Sequence, residues 1–307
     1  MKQVKLAYTT LLAKHGMGAA LFIAIAVTLW VVVFITLPQL SMLDYSFRFN
    51  LPADQLGTEA DHYTLEQYRS FFFNSDGSIN TLDITILIRT LIAALIVTMI
   101  DVIICYPIAY ILAHGAKGVA ARLMVIGLII PYWVNEILRA FAFRVLFGST
   151  GVVNTWGMQM GLWDAPVDFI RADVALYCGL AYAYILLMVF PMYNAIEALD
   201  HTQVEAARDM GAPLWRVHWR VVLPMAKPGI VSGATMVFML TAGALAAPQI
   251  LGGPSSLWFT QLIYQWFNES SNWPRGSAYA VVLLVTCISF VLLMMRVFKV
   301  SVGEIGK

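Results

Sequence analysis

Thr202-Gln203-Val204-Glu205-Ala206-Ala207-Arg208-Asp209-Met210-Gly211-Ala212-Pro213-Leu214-Trp215-Arg216-Val217-His218-Trp219-Arg220-Val221-Val222-Leu223-Pro224 carries the densest charge pattern of the chain, between two long apolar runs. Thr202 with Glu205 three residues on has the form of a capping box, in which hydroxyl and carboxylate each satisfy a backbone N–H at a helix start. A short helix is expected to begin there and run through Ala206, Ala207, Arg208 and Asp209. Gly211 then supplies a left-handed stop. Pro213 suits the first turn of a second helix, where its missing N–H has no partner in any case. That helix passes through Leu214, Trp215, Val217, His218 and Val221; Pro224 is expected to end it, and Lys227-Pro228 leads back into apolar sequence. The stretch is thus read as two helices joined at a glycine corner.

The flanking sequence decides which solvent that corner lives in. Of the 307 residues, 60% are hydrophobic and 12% charged, with a mean hydropathy of +0.75. A water-soluble domain carries about 25% charged residues, so this composition excludes one. It also excludes disorder, which needs low hydrophobicity and high net charge. The net charge of +1 offers no basic field for nucleic acid. Cys105, Cys178 and Cys287 lie in apolar runs and are read as small buried hydrophobes, neither a disulfide framework nor a zinc site.

A membrane-crossing helix needs about 20 mostly apolar residues. Six runs qualify: Met17 to Leu37, a part of Ile84 to Ala113, Leu123 to Phe143, Val174 to Ala195, Ile230 to Leu251 and Ala278 to Val297. The fold class expected is therefore all-α, a polytopic membrane protein of six spans. The first run is longer than the roughly 7–15 residues of a signal core and is followed by Leu37-Pro38-Gln39-Leu40, so it is read as a retained anchor. Placing the N-terminus inside puts 12 of the 19 Lys and Arg on the inner side, among them Lys2, Lys5, Lys14, Lys117, Arg122, Lys227, Arg296, Lys299 and Lys307. Acidic residues such as Asp44, Asp54, Glu59, Asp61 and Glu66 then lie outside. The organisation expected is an inner N-terminus (1–16), a first span (17–40), an external loop (41–81), a core of five spans (82–298) with the corner at 199–228, and an inner tail (299–307).

The corner also carries a family resemblance. Glu205-Ala206-Ala207, three residues, Gly211, nine residues and Val221-Val222-Leu223-Pro224 resemble the EAA loop of ABC-importer permeases, with Val221 where the family pattern has Ile. The resemblance covers Leu82 to Val297 and includes Tyr106-Pro107-Ile108-Ala109-Tyr110 and Ile130-Pro131-Tyr132-Trp133 with Arg139. Pro248-Gln249-Ile250-Leu251-Gly252-Gly253-Pro254 and Asn272-Trp273-Pro274 are similar to the spermidine/putrescine (polyamine) branch, nearest its first permease subunit. This implies a type I ABC-importer permease fold in a bacterial inner membrane. It also implies a homologous second permease, two ABC ATPase subunits holding ATP and magnesium, and an external periplasmic solute-binding protein. No cofactor, metal or nucleic acid is expected on this chain, which has no Gly-x-x-x-x-Gly-Lys-Ser/Thr phosphate cradle. Transport by rearrangement, with no covalent chemistry, is the activity implied. Glu205, Ala206, Ala207, Arg208, Gly211, Leu214, Val217, Leu223 and Pro224 form the expected coupling loop, in which Glu205 and Arg208 orient and Leu214 and Val217 supply the apolar contact.

Ionisable groups inside spans mark a pathway or a partner. Asp101 lies in the second span; Glu136 and Arg139 lie in the third, three apart on one face. Either Glu136 and Arg139 pair with each other, or Glu136 or Asp101 meets a cationic solute. Tyr132, Trp133, Tyr182 and Tyr184 could add cation–π contacts. Pro107, Pro131, Pro191 and Pro248 interrupt spans. Pro248, next to Gln249 and near Gly252 and Gly253, is the place expected for a broken helix lining a cavity. Gly243-Ala244-Leu245-Ala246-Ala247-Pro248 has no carboxylate before its proline, unlike comparable polyamine permeases, so a zwitterion or anion is the alternative solute. A secondary transporter would show a repeat or a charge relay, and a membrane enzyme would show clustered His, Asp or Glu. Neither pattern is present. If the corner docks a separate ATPase, Glu205→Lys or Gly211→Val abolishes transport while leaving the protein inserted. Normal uptake into cells or vesicles by either variant would contradict the docking.

Overall fold

The computed structural model describes residues 2–52, 55, 58, 61–115 and 118–300, with side chains from residue 16 onward except that of His201. Asp54, Glu59, Lys117, the side chains of Lys2, Lys5 and Lys14, and the tail from 301 lie outside the described residues. The helices are α1 (Lys2–Trp30), α2 (Leu37–Ser46), α3 (Glu66–Phe72), α4 (Thr81–Tyr110), α5 (Val119–Trp133), α6 (Glu136–Leu146), α7 (Val152–Gln159), α8 (Val174–Glu197), α9 (His201–Asp209), α10 (Leu214–Val217), α11 (Leu223–Ala242), α12 (Ala246–Leu251), α13 (Phe259–Asn268) and α14 (Trp273–Phe298). Three π-helical segments join them: π1 (Val31–Thr36), π2 (Ile111–Gly115) and π3 (His218–Val222). Among the described residues no β-strand occurs, only two isolated bridges. Gly16–Ser46, Thr81–Gly115, Val174–Glu197, Leu214–Ala242 and Trp273–Phe298 are long and apolar enough to cross a membrane, and α5 with α6 makes a sixth span if the bent pair counts as one.

Prolines shape these spans without stopping them. Pro224 was expected to close its segment, yet helix continues through it to Ala242, as it does through Pro38 to Ser46. The residues four before them, Phe34 and Arg220, lie in π1 and π3. A proline ring clashes with the carbonyl four residues back, and a π turn shifts that carbonyl out of the way. The first span is accordingly longer than 17–40, and the loop from 41 begins as helix and contains α3.

Three sequence expectations are corrected by breaks and caps. The third run is not one straight helix: α5 and α6 meet at 98°. Val134 is extended, and the Asn135 side chain accepts a 2.9 Å hydrogen bond from Ile137 N, which starts a new helix. The fifth run does not reach Leu251; it ends at Ala242, and α12 follows as a separate short helix. α9 is capped by Asp200, whose carboxylate accepts from Thr202 N at 3.0 Å, and not by Thr202. A carboxylate two residues earlier took the cap.

The chain divides into two compact units, residues 1–71 with 266–281 and residues 72–265 with 282–307. Within the first, Arg48 pairs with Asp44 at 2.7 Å and Asp61 at 2.8 Å, and both acids hold its guanidinium above its usual pKa. Arg275 there lies 4.0 Å over the Trp266 ring. In the second unit α8 packs most extensively on α11 and α4, which also pack on each other. Gly229 and Gly233 make that approach close. A Cβ at Gly229 would fall against the Pro191 carbonyl, and one at Gly233 would lie 2.8 Å from Met188 Sδ. Cys105 and Cys287 are buried as expected, whereas Cys178 is exposed.

Candidate functional site

α11 ends inside the bundle, and the way it ends builds a cavity. Gly243 N donates to Met239 O at 3.0 Å and Ala244 N to Thr241 O at 3.2 Å, closing the last turn. The Leu240 carbonyl faces the Tyr184 hydroxyl of α8, which donates to it at 3.4 Å. The chain then turns, and Thr260 Oγ1 donates to Ala244 O at 2.6 Å. α12 follows and packs against α6 and α8. The Arg144 guanidinium of α6 donates to the Ile250 carbonyl at its C-terminal end. Farther along, Arg89 of α4 donates to the Ser255 carbonyl and pairs with Asp173 at 2.6 Å. The segment from Gly243 to Ser255 is thus held by hydrogen bonds from three other parts of the second unit.

The resulting space, of about 340 Å³, is lined by Glu136, Tyr184, Leu240, Gly243, Ala244, Leu245, Ala246 and Gln249. Glu136 is the only charged residue in that lining. Its carboxylate sits in the first turn of α6, where a helix N-terminus favours negative charge. Ligand pockets occupy about 300–1,000 Å³, so one small organic molecule fits.

Of the residues expected along a pathway, Glu136, Tyr184 and Gln249 line this one cavity. Pro248 is buried in α12 beside Gln249, and the break it was expected to cause lies ahead of it, at Gly243 to Leu245. Arg139 forms no ion pair with Glu136 among the described residues; its guanidinium donates to Pro131 O at 3.3 Å, because the bend turns α6 back over the end of α5. Asp101 is 1% exposed within α4 and outside the cavity lining. Tyr132 and Trp133 end α5 on the surface, Trp133 being 84% exposed. Tyr182 points away from Tyr184 on α8 and packs its ring 5.2 Å from Phe143.

The corner keeps its predicted shape around Gly211, whose φ of 77° demands glycine. Glu205, Ala206, Arg208 and Pro224 are exposed, and Ala207 and Leu223 are partly covered. Leu214 is 61% exposed, but Val217 is 2% exposed and packs into the bundle core, so it cannot supply an outward apolar contact. Met210, at 83% exposed, joins Leu214, Trp215 and Trp219 on the surface instead.

The family described as binding-protein-dependent transport system inner membrane component matches residues 91–300. The chain belongs to this family. The permease is 32% identical over 256 residues to the spermidine/putrescine transport system permease protein PotB of Haemophilus influenzae, covering 83% of this chain and 86% of that one. It is 29% identical to the PotB protein of Escherichia coli strain K12, over 83% of this chain and 89% of the other. Its fold is that of a bacterial alginate ABC transporter solved in complex with an alginate pentasaccharide-bound periplasmic protein. The TM-score is 0.66 at 17% identity, with 96% of this chain and 99% of that chain covered. The permease is therefore a multi-pass, all-α membrane transport component.

Sequence reading missed Arg89, Arg144, Thr260 and Asp173 as parts of the site. The two arginines were visible as charges inside or beside apolar runs, but their acceptors are backbone carbonyls more than 100 positions away, which no local pattern announces. Thr260→Val leaves the Ala244 carbonyl without its donor. The variant is expected to insert normally and to lower the initial uptake rate roughly fivefold, the scale of one lost buried hydrogen bond. A wild-type rate in an uptake assay would show that this contact does not shape the cavity.

Proposed function

We propose that the permease is the membrane subunit of an ATP-driven ABC importer that moves a small organic cation, a polyamine such as spermidine or putrescine, inward by alternating access. The single observation that carries the cationic reading is the cavity lining. Glu136 supplies its only charge, and Tyr184, Gln249 and the carbonyl end of α11 supply polar groups around it. A helix C-terminus carries partial negative charge, so carboxylate and carbonyls both favour an ammonium group, and the Tyr184 ring can add a cation–π contact. The names of the PotB relatives point to the same solute class. A zwitterion such as an amino-acid derivative or a betaine is the second reading, because no carboxylate precedes Pro248.

In this reading both termini face the cytoplasm, following the excess of Lys and Arg on inner segments. The corner at Gly211 docks an ATPase subunit through exposed Glu205, Arg208, Leu214 and Met210. ATP and magnesium belong to two such partner subunits. A second homologous permease completes the pathway, and a periplasmic binding protein delivers the solute from the outer side. The chain itself carries out no covalent step.

Glu136→Gln keeps size and hydrogen bonding but removes the charge. It is expected to lower uptake of a radiolabelled diamine about tenfold, as loss of one charge-assisted contact does, while ATPase subunits still co-purify in wild-type amount. Unchanged uptake would make Glu136 a structural helix-terminus charge.

A further inference from the structure

The ends of α4 and α11 that adjoin the corner are joined by an aromatic cluster belonging neither to the cavity nor to the exposed face of the corner. The Tyr106 hydroxyl and His218 Nδ1 share a 2.8 Å hydrogen bond, and the two rings meet edge to face. Tyr110, one turn farther along α4, lies on the same helix face. Its ring centroid is 4.5 Å from that of His218 and 5.2 Å from that of His114. Each histidine sits in a widened helical turn, His218 at the start of π3 and His114 in π2. Val204 of α9 and Val217 of α10 are buried in the core that Tyr106 and Tyr110 pack against.

This arrangement solves a mechanical problem. Apolar side chains that pack against each other can slide with little loss, because dispersion and burial are non-directional. A hydrogen bond fixes distance and angle, so a displaced donor pulls its acceptor. The segment Leu214–His218 leads from Gly211 straight into α11, and α11 ends at the cavity. α4 packs on α8, which contributes Tyr184 to the same cavity. A movement of the corner thus reaches one wall along α11. The other wall, on α8, packs on both α11 and α4 through contacts that can slide, and the Tyr106–His218 bond adds a directional tie that makes α4 follow the corner.

We propose that Tyr106 and His218 are positioning residues of the coupling step: their hydrogen bond locks α4 to the corner, so that displacement of the corner shifts both walls of the cavity together. This rests on the reading that the corner docks an ATPase subunit.

The test uses the assembled importer in vesicles and measures solute imported per ATP hydrolysed. Tyr106→Phe keeps the ring and removes the hydroxyl. It is expected to retain the ATPase subunits and to lower that ratio about fivefold, within the usual range of coupling between two sites. His218→Leu should reproduce the loss, and the double variant should be no worse than either single one, because both remove the same bond. His218→Asn, which keeps a hydrogen-bonding atom near the Nδ1 position, should preserve the ratio. A wild-type ratio in Tyr106→Phe, losses that multiply in the double variant, or equal loss in His218→Asn and His218→Leu would each overturn the proposal. If Tyr106→Phe does not assemble, the comparison of His218→Asn with His218→Leu decides alone. Full transport by Gly211→Val would sink the docking reading itself, whereas an undiminished ratio in Tyr106→Phe with the ATPase bound sinks only the tie.

Discussion

A peptide carbonyl that leaves its helix inside a membrane must find a donor, since no water is there to supply one. α11 stops at Ala242 in the interior of the bundle, and everything around the cavity follows from how the freed groups are satisfied. Tyr184 serves Leu240, Thr260 serves Ala244, Arg144 serves Ile250 and Arg89 serves Ser255. These donors come from α8, α13, α6 and α4, so the break is also what ties those helices to one segment. The cavity is the space left when a helix ends early and its continuation is pinned aside.

The second break works with the first. Because α5 and α6 meet at 98°, Glu136 becomes the first residue of a helix and not the middle of one. A carboxylate in mid-span would need a cationic partner; at a helix N-terminus the backbone N–H groups partly supply that role. Glu136 can therefore stand without Arg139 and face the cavity. On the far side of α11, π3 absorbs Pro224 so that the second helix of the corner and the span form one continuous helix from Leu214 to Ala242. The exposed surface at Leu214 and Trp215 thus leads without interruption to the cavity wall.

Composition and run length were enough to read an all-α, six-span membrane protein, and the spacing from Glu205 to Pro224 was enough to read the corner. Those features are local or cumulative, so sequence displays them. Pro224 misled because a proline predicts a stop only when the turn before it stays α-helical. Thr202 misled because Asp200 competes for the same backbone donors two residues earlier. Leu214 was correctly read as outward, whereas Val217, three residues on, turns inward. At the cavity, Glu136, Tyr184 and Gln249 were legible as polar or aromatic residues at membrane depth, but so were Tyr132, Trp133 and Asp101, which do not line it. What separates the two groups is where α11 stops. That is decided by donors such as Thr260 and Arg144, which are distant in sequence from the carbonyls they hold.

The central claim is that the space between Glu136 and Gln249 is where the solute sits during transport. The most direct measurement is the alkylation rate of a single cysteine at position 249 in a cysteine-free permease, within the assembled importer reconstituted in vesicles, with and without the transported solute. The account predicts that solute slows alkylation of Gln249→Cys severalfold and leaves Trp133→Cys, on the outer surface of α5, unchanged. Equal rates at position 249 with and without solute, in vesicles that still transport, would contradict it.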